Sequence, residues 1–212
     1  MTEGLTYRTR PAAGEPEGVL VLMHGRGADE HDLEPLLNEL DPERRLVGFQ
    51  PRGPLSLPPG GAHWYVVREV GFPDPPTFGP TFAALSAWVD EVTAEAGVPP
   101  DRLVLAGFSQ GAVMSYALGL AAGRPRPAAI LAFSGFIPTV EGFAPYLAAR
   151  AGLPVSIAHG TFDPVIHVEF GRRARDLLTE GGLDVAYVEE PIPHTIGPAG
   201  LEQARGVLAN AL

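Results

Sequence analysis

The chain has 212 residues, 45% of them hydrophobic, which suits one ordinary domain with a sizeable core and argues against a disordered polymer. A formal charge of −10 speaks against nucleic acid and anionic membrane surfaces as partners. The absence of cysteine removes disulfides, thiolate metal sites and a thiol nucleophile together.

The opening stretch MTEGLTYRTR has no apolar run, so no signal peptide is expected there. No window approaches the ~18 apolar residues that a membrane span needs, and cytoplasmic residence is the default expectation. Further on, short apolar runs predict buried parallel strands at Gly18–Met23, Arg45–Gln50, Arg102–Ala106, Ala128–Phe133, Pro154–Ala158 and Asp184–Glu189. Helical spacing predicts helices over Asp32–Leu40, Phe82–Ala96, Gly111–Ala122, Val165–Glu180 and Leu201–Leu212, with a weaker candidate at Glu141–Arg150 that contains Pro145. Strand and helix in alternation imply a mostly parallel central sheet with helices on both faces, in a single domain spanning 1–212. Between Pro51 and Pro80 the pattern breaks into a segment dense in proline, glycine and aromatics. Long irregular segments in compact domains are commonly functional, and HWYVVREV within this one could hold a short edge strand.

The strongest chemical signal is Gly107-Phe108-Ser109-Gln110-Gly111, a G-x-S-x-G pattern between a predicted strand and a predicted helix. Small residues two positions either side let the chain turn sharply and lift the serine above the sheet edge. A serine needs a base, and on such a fold acid and histidine follow in that order on later strand-end loops. Asp163 follows one later strand, in HGTFDPVIH, and His194 follows the next, in PIPHTIGPAG. The other histidines fit less well. His24 and His31 precede the serine, His63 lies in the irregular segment, His159 precedes the acid, and His167 falls on the next helix, so structural or surface roles are expected for them.

The loop His24-Gly25-Arg26-Gly27 invites comparison with a dinucleotide cradle, but Glu30 occupies the third glycine's place and the next strand ends in Gln50-Pro51 without an acid. It fits better as a source of one backbone N–H for an oxyanion, from Arg26, paired with the N–H of Gln110 directly after the serine.

LMHGRGADEHDL, PRGP, GFSQGAVMSYAL, HGTFDPVI and PHTI, in this order along nearly the whole chain, resemble the phospholipase/carboxylesterase family of α/β-hydrolases. That family includes acyl-protein thioesterases and small bacterial carboxylesterases. The resemblance implies an α/β-hydrolase fold, a Ser109–Asp163–His194 triad, main-chain oxyanion donors at Arg26 and Gln110, and no metal or organic cofactor. Pro193 stands where members often carry glycine before the histidine.

The expected activity is hydrolysis of carboxylic esters through an acyl-enzyme on Ser109. Acyl-protein thioesterase or lysophospholipase activity is the alternative within the same chemistry, and a binding protein that has lost the chemistry is the alternative outside it. Trp64, Phe72, Phe78, Phe136 and Ile137 are candidates to line the acyl pocket, because they fall near the proposed C-terminal edge of the sheet, with ordinary core or loop packing as the equal alternative. A small-molecule ester or thioester is the expected partner, with no integral membrane association. An exposed apolar rim around such a site would support a homodimer.

Overall fold

The computed structural model describes residues 4–212. In chain order the strands are β1 (Tyr7–Arg10), β2 (Gly18–Met23), β3 (Leu46–Pro51), β4 (Leu55–Leu57), β5 (Gly61–His63), β6 (Val67–Glu69), β7 (Phe72–Pro73), β8 (Leu103–Phe108), β9 (Ala129–Phe133), β10 (Pro154–Gly160) and β11 (Asp184–Glu190). The helices are α1 (Glu34–Leu40), α2 (Pro75–Glu95), α3 (Gln110–Leu120), α4 (Val168–Glu180) and α5 (Pro198–Ala211). Seven strands form the central sheet in the order β1-β3-β2-β8-β9-β10-β11, all parallel except β1, which runs antiparallel along β3.

The inner strands are largely apolar on both sides because both faces of the sheet are covered. Val19, Val21 and Met23 of β2 face α2 and α3, while Leu20 and Leu22 face the side occupied by α1 and α5. This two-residue alternation within a continuous apolar run is what a doubly covered sheet requires. α3 is buried along its whole length, shared between the layers under α2 and α4.

From β2 the chain first adds β3 on one side, then returns to place β8 on the other. Strand order reverses between β2 and β8, so the loops leaving these two strands diverge and open a crevice at the sheet edge, where open α/β sheets bind ligands.

Four expectations need correction. β1 lies outside every predicted strand; it is a polar, largely exposed edge strand whose register comes from pairing with β3. The aromatic-rich segment adds no edge strand to the central sheet. It forms two separate ribbons instead, β4 with β5 and β6 with β7. α2 begins at Pro75 rather than Phe82: prolines at its start cost nothing, because the first N–H groups of a helix have no intrahelical partner. Glu141–Arg150 is not a helix. It ends in a short 3-10 turn, Leu147–Arg150, that buries Arg150. The guanidinium there donates to the carbonyls of Gly119, Ala121 and Arg124 at 2.7–2.9 Å, closing the C-terminus of α3.

Candidate active site

Ser109 occupies the turn between β8 and α3 with φ +55° and ψ −120°, a conformation an L-residue holds only under constraint from its surroundings. Two contacts supply that constraint. The Ser109 amide donates to the Phe133 carbonyl at 2.9 Å, and the Val113 amide donates to the Ser109 carbonyl at 3.2 Å. The flanking glycines allow the turn: a Cβ on Gly107 would run into the Gly111 carbonyl, and one on Gly111 would collide with the Met23 carbonyl oxygen. The serine therefore sits at the N-terminal end of a buried helix, where the aligned peptide dipoles favour negative charge.

Asp163 and His194 come from the loops after β10 and β11. The Ser109 hydroxyl lies 2.9 Å from His194 Nε2, and His194 Nδ1 lies 2.6 Å from Asp163 Oδ2. A carboxylate only accepts, so Nδ1 carries the proton and Nε2 is free to accept from the serine. Asp163 is fully enclosed; its other oxygen accepts the Val165 and Ile166 amides, both at 2.8 Å. The two loops are tied together by main-chain bonds, Thr161 N–H to the Glu190 carbonyl at 2.7 Å and Phe162 N–H to the Ile192 carbonyl at 3.1 Å. Glu190 closes the histidine loop from below, accepting the Ala199 and Gly200 amides at the start of α5 at 3.1 and 2.9 Å. Phe108 packs on the His194 ring with centroids 4.8 Å apart. Pro193 fits without loss of a needed donor, its carbonyl accepting the Thr195 amide at 2.9 Å.

The loop after β2 is held as firmly. His24 is buried; its Nδ1 donates to the Gly25 carbonyl at 2.7 Å, and its Nε2 accepts the Gly53 amide at 2.9 Å. These partners require a neutral ring, and burial pushes its pKa below the ordinary histidine value. The Trp64 indole donates to the His24 carbonyl at 2.8 Å. Gly27 spends its amide on the Ala62 carbonyl at 2.8 Å, whereas no protein acceptor among the described residues takes the Arg26 or Gln110 amide. Two backbone donors are thus left unspent on either side of the serine.

Two openings meet at Ser109. One is a cavity of about 360 Å³ walled by Tyr65, Val67, Val70, Phe136, Val165 and Ile166, with Arg26 and Gln110 at its mouth. The other is lined by the glycine loop, Asp32, Phe108 and His194. Of the residues considered as acyl-pocket candidates, Phe136 borders this cavity. Phe72 and Ile137 line an adjoining groove that shares Val70 and Phe136 with the first cavity. Trp64 and Phe78 face away from the cavity into the core. Trp64 is fully buried beneath the glycine loop, and Phe78 stacks on Phe82 with centroids 6.3 Å apart. Composition marks an aromatic segment but not which rings point outward. Tyr65, Val67 and Val70 lie in the same stretch, and the Val165-Ile166 pair directly follows the Asp163-Pro164 turn.

The phospholipase/carboxylesterase family model matches residues 7–211. The chain belongs to the phospholipase/carboxylesterase family. Among curated relatives, acyl-protein thioesterase 1 of Yarrowia lipolytica is 29% identical over 181 residues, 79% of each chain. The solved structure of esterase PE8 aligns with a TM-score of 0.85 at 27% identity, covering 99% of this chain and all of that one. The carboxylesterase of Bacillus cereus gives the same TM-score at 23% identity over the full chain and 96% of its own, a likeness of fold. The chain is a hydrolase with the α/β-hydrolase fold of the phospholipase/carboxylesterase family, and no described helix is long and apolar enough to cross a membrane.

Proposed function

We propose that this hydrolase is a single-domain serine carboxylesterase that works through an acyl-enzyme on Ser109. The observation carrying this reading is the unbroken relay from the Ser109 hydroxyl through His194 to Asp163, at 2.9 and 2.6 Å. His194 takes the serine proton as the hydroxyl oxygen attacks the ester carbonyl. Asp163 holds the imidazole in the required tautomer and stabilises its cationic form. The unspent Arg26 and Gln110 amides receive the oxyanion, each worth roughly 3–4 kcal/mol to the transition state. His194 then protonates the leaving alcohol, and water, activated the same way, releases the acid.

The two openings divide the substrate. The histidine delivers its proton to the leaving group, so that group departs through the opening lined by His194. The acyl arm then lies on the Gln110 side, in the apolar cavity under Tyr65 and Ile166. A volume of about 360 Å³ suits a short or medium acyl chain, with the adjoining groove as its extension.

A second reading keeps the chemistry and changes the leaving group. The similarity to curated proteins named acyl-protein thioesterase supports a thioester as the substrate in this reading. A non-catalytic binding role has nothing comparable behind it, since such a protein has no use for an intact relay.

Labelling with a fluorophosphonate tests the mechanism: mass spectrometry should find one adduct, on Ser109, abolished in S109A. An unlabelled serine overturns the proposal. Esters and thioesters of matched acyl length, compared by kcat/KM, then decide between the two substrate classes.

A further inference from the structure

His159 is a buried titratable group for which the proposed mechanism has no use. It stands near the end of β10, four residues before Asp163, with its side chain wholly shielded from solvent. Its Nε2 lies 2.8 Å from the Ile166 carbonyl, which can only accept, so Nε2 carries the proton. Its Nδ1 has no partner and faces α4, where a Cβ on Gly171 would come within 2.7 Å of it. A proton on Nδ1 would have no acceptor there, and burial accordingly lowers the pKa of the ring. The side chain is a neutral, single-donor imidazole fixed in one orientation.

The group it holds is informative. Ile166 uses its N–H on Asp163 Oδ1 at 2.8 Å and its C=O on His159. The backbone of one residue thus connects the buried ring to the carboxylate, its two flanking peptides each making one of the bonds, and Ile166 forms part of the cavity wall. His159 Nε2 also lies 3.6 Å from Asp163 Oδ2, too far for a hydrogen bond, so the link between them runs through Ile166.

We infer that His159 is a positioning residue for the reaction: through the backbone of Ile166 it fixes the Asp163 carboxylate against His194. The inference rests on the proposed role of Asp163 as the triad acid. It predicts that the Nε2 donor matters, rather than the ring's charge or bulk. His159→Phe keeps the shape and removes the donor. His159→Gln places an amide N–H near the position of Nε2.

The test measures kcat and KM for a short acyl ester in both variants, with active sites counted by fluorophosphonate titration. In H159F, kcat should fall on the order of tenfold or more while KM changes by less than about threefold, since small displacements of a catalytic group cost rate more than ground-state binding. H159Q should recover most of the lost rate. Wild-type kcat per active site in H159F, or equal impairment of H159Q and H159F, overturns the inference. Should H159F not fold, H159N takes its place, polar but too short to reach the Ile166 carbonyl, with the same expected loss. Failure of the wild-type serine to label would instead overturn the proposed mechanism, independently of any result at position 159.

Discussion

The Gln110 carboxamide accepts the Trp64 amide at 3.0 Å and donates to the Tyr65 carbonyl at 2.9 Å. The residue after the serine is thereby locked to the irregular segment, and Trp64 in turn locks the glycine loop through the His24 carbonyl. Both proposed oxyanion donors are thus held by one aromatic pair, before any substrate arrives. Preorganised donors of this kind need no rearrangement during reaction.

The first prediction separates backbone from side chain at Arg26. Arg26→Ala keeps the amide and should reduce kcat only mildly. Arg26→Pro removes the N–H and should cost about 10²–10³ in kcat. Steady-state kinetics on one ester suffices; equal effects of the two changes would remove Arg26 from the oxyanion site.

Ser109→Ala should lower kcat on the order of 10⁴–10⁶-fold while leaving the melting temperature near or above that of the parent. The second half follows because alanine keeps the Cβ, so the backbone strain at φ +55° is unchanged, and deleting the hydroxyl removes the relay without disturbing the main-chain bonds that hold the turn. Calorimetry alongside kinetics checks both halves.

Glu190→Gln weakens the clasp at the base of the histidine loop. A carboxylate accepts both α5 amides, whereas a carboxamide turns one oxygen into a donor facing an N–H. Denaturant unfolding should show a loss of about 1–3 kcal/mol. kcat should fall too, because the segment carrying His194 is anchored there. An unchanged unfolding midpoint would show that the clasp holds nothing.

Acid should destabilise the protein through its buried histidines. Burial lowers the pKa of His24, His63 and His159 in the folded state, so below the ordinary value of 6.5 the unfolded chain binds more protons than the folded one. The stability these neutral rings contribute is complete above that pH and is lost as pH falls from 6.5 through the folded-state values. Melting temperatures measured between pH 8 and 5 should decline across this window, and H159Q should flatten part of the decline. A flat profile would contradict the neutral assignment.

Much of the architecture was readable because inner parallel strands covered on both faces are largely apolar, and because Ser109, Asp163 and His194 each lie in the loop after a parallel strand. Strand polarity alone then brings the three loops to one edge. β1 escaped because YRTR carries no burial signal, its pairing being with the β3 backbone. The Glu141–Arg150 region misleads through helix-compatible spacing, while Arg150 is drawn inward by carbonyls that only the folded α3 presents. The acyl-cavity wall was partly hidden for a similar reason. Trp64 and Tyr65 are neighbours of like character, and only the tertiary contacts of the glycine loop decide which one borders the cavity.

The main-chain ties between the loops bearing Asp163 and His194 have an evolutionary consequence. They run between peptide groups, with the Thr161 hydroxyl adding one bond to the Glu190 carbonyl at 3.2 Å, so they survive almost any substitution at Phe162 or Ile192. The chemistry is insulated from drift in its immediate neighbours, and the cavity lining can change freely around a reaction centre that stays put. New substrates then become accessible by altering the walls alone.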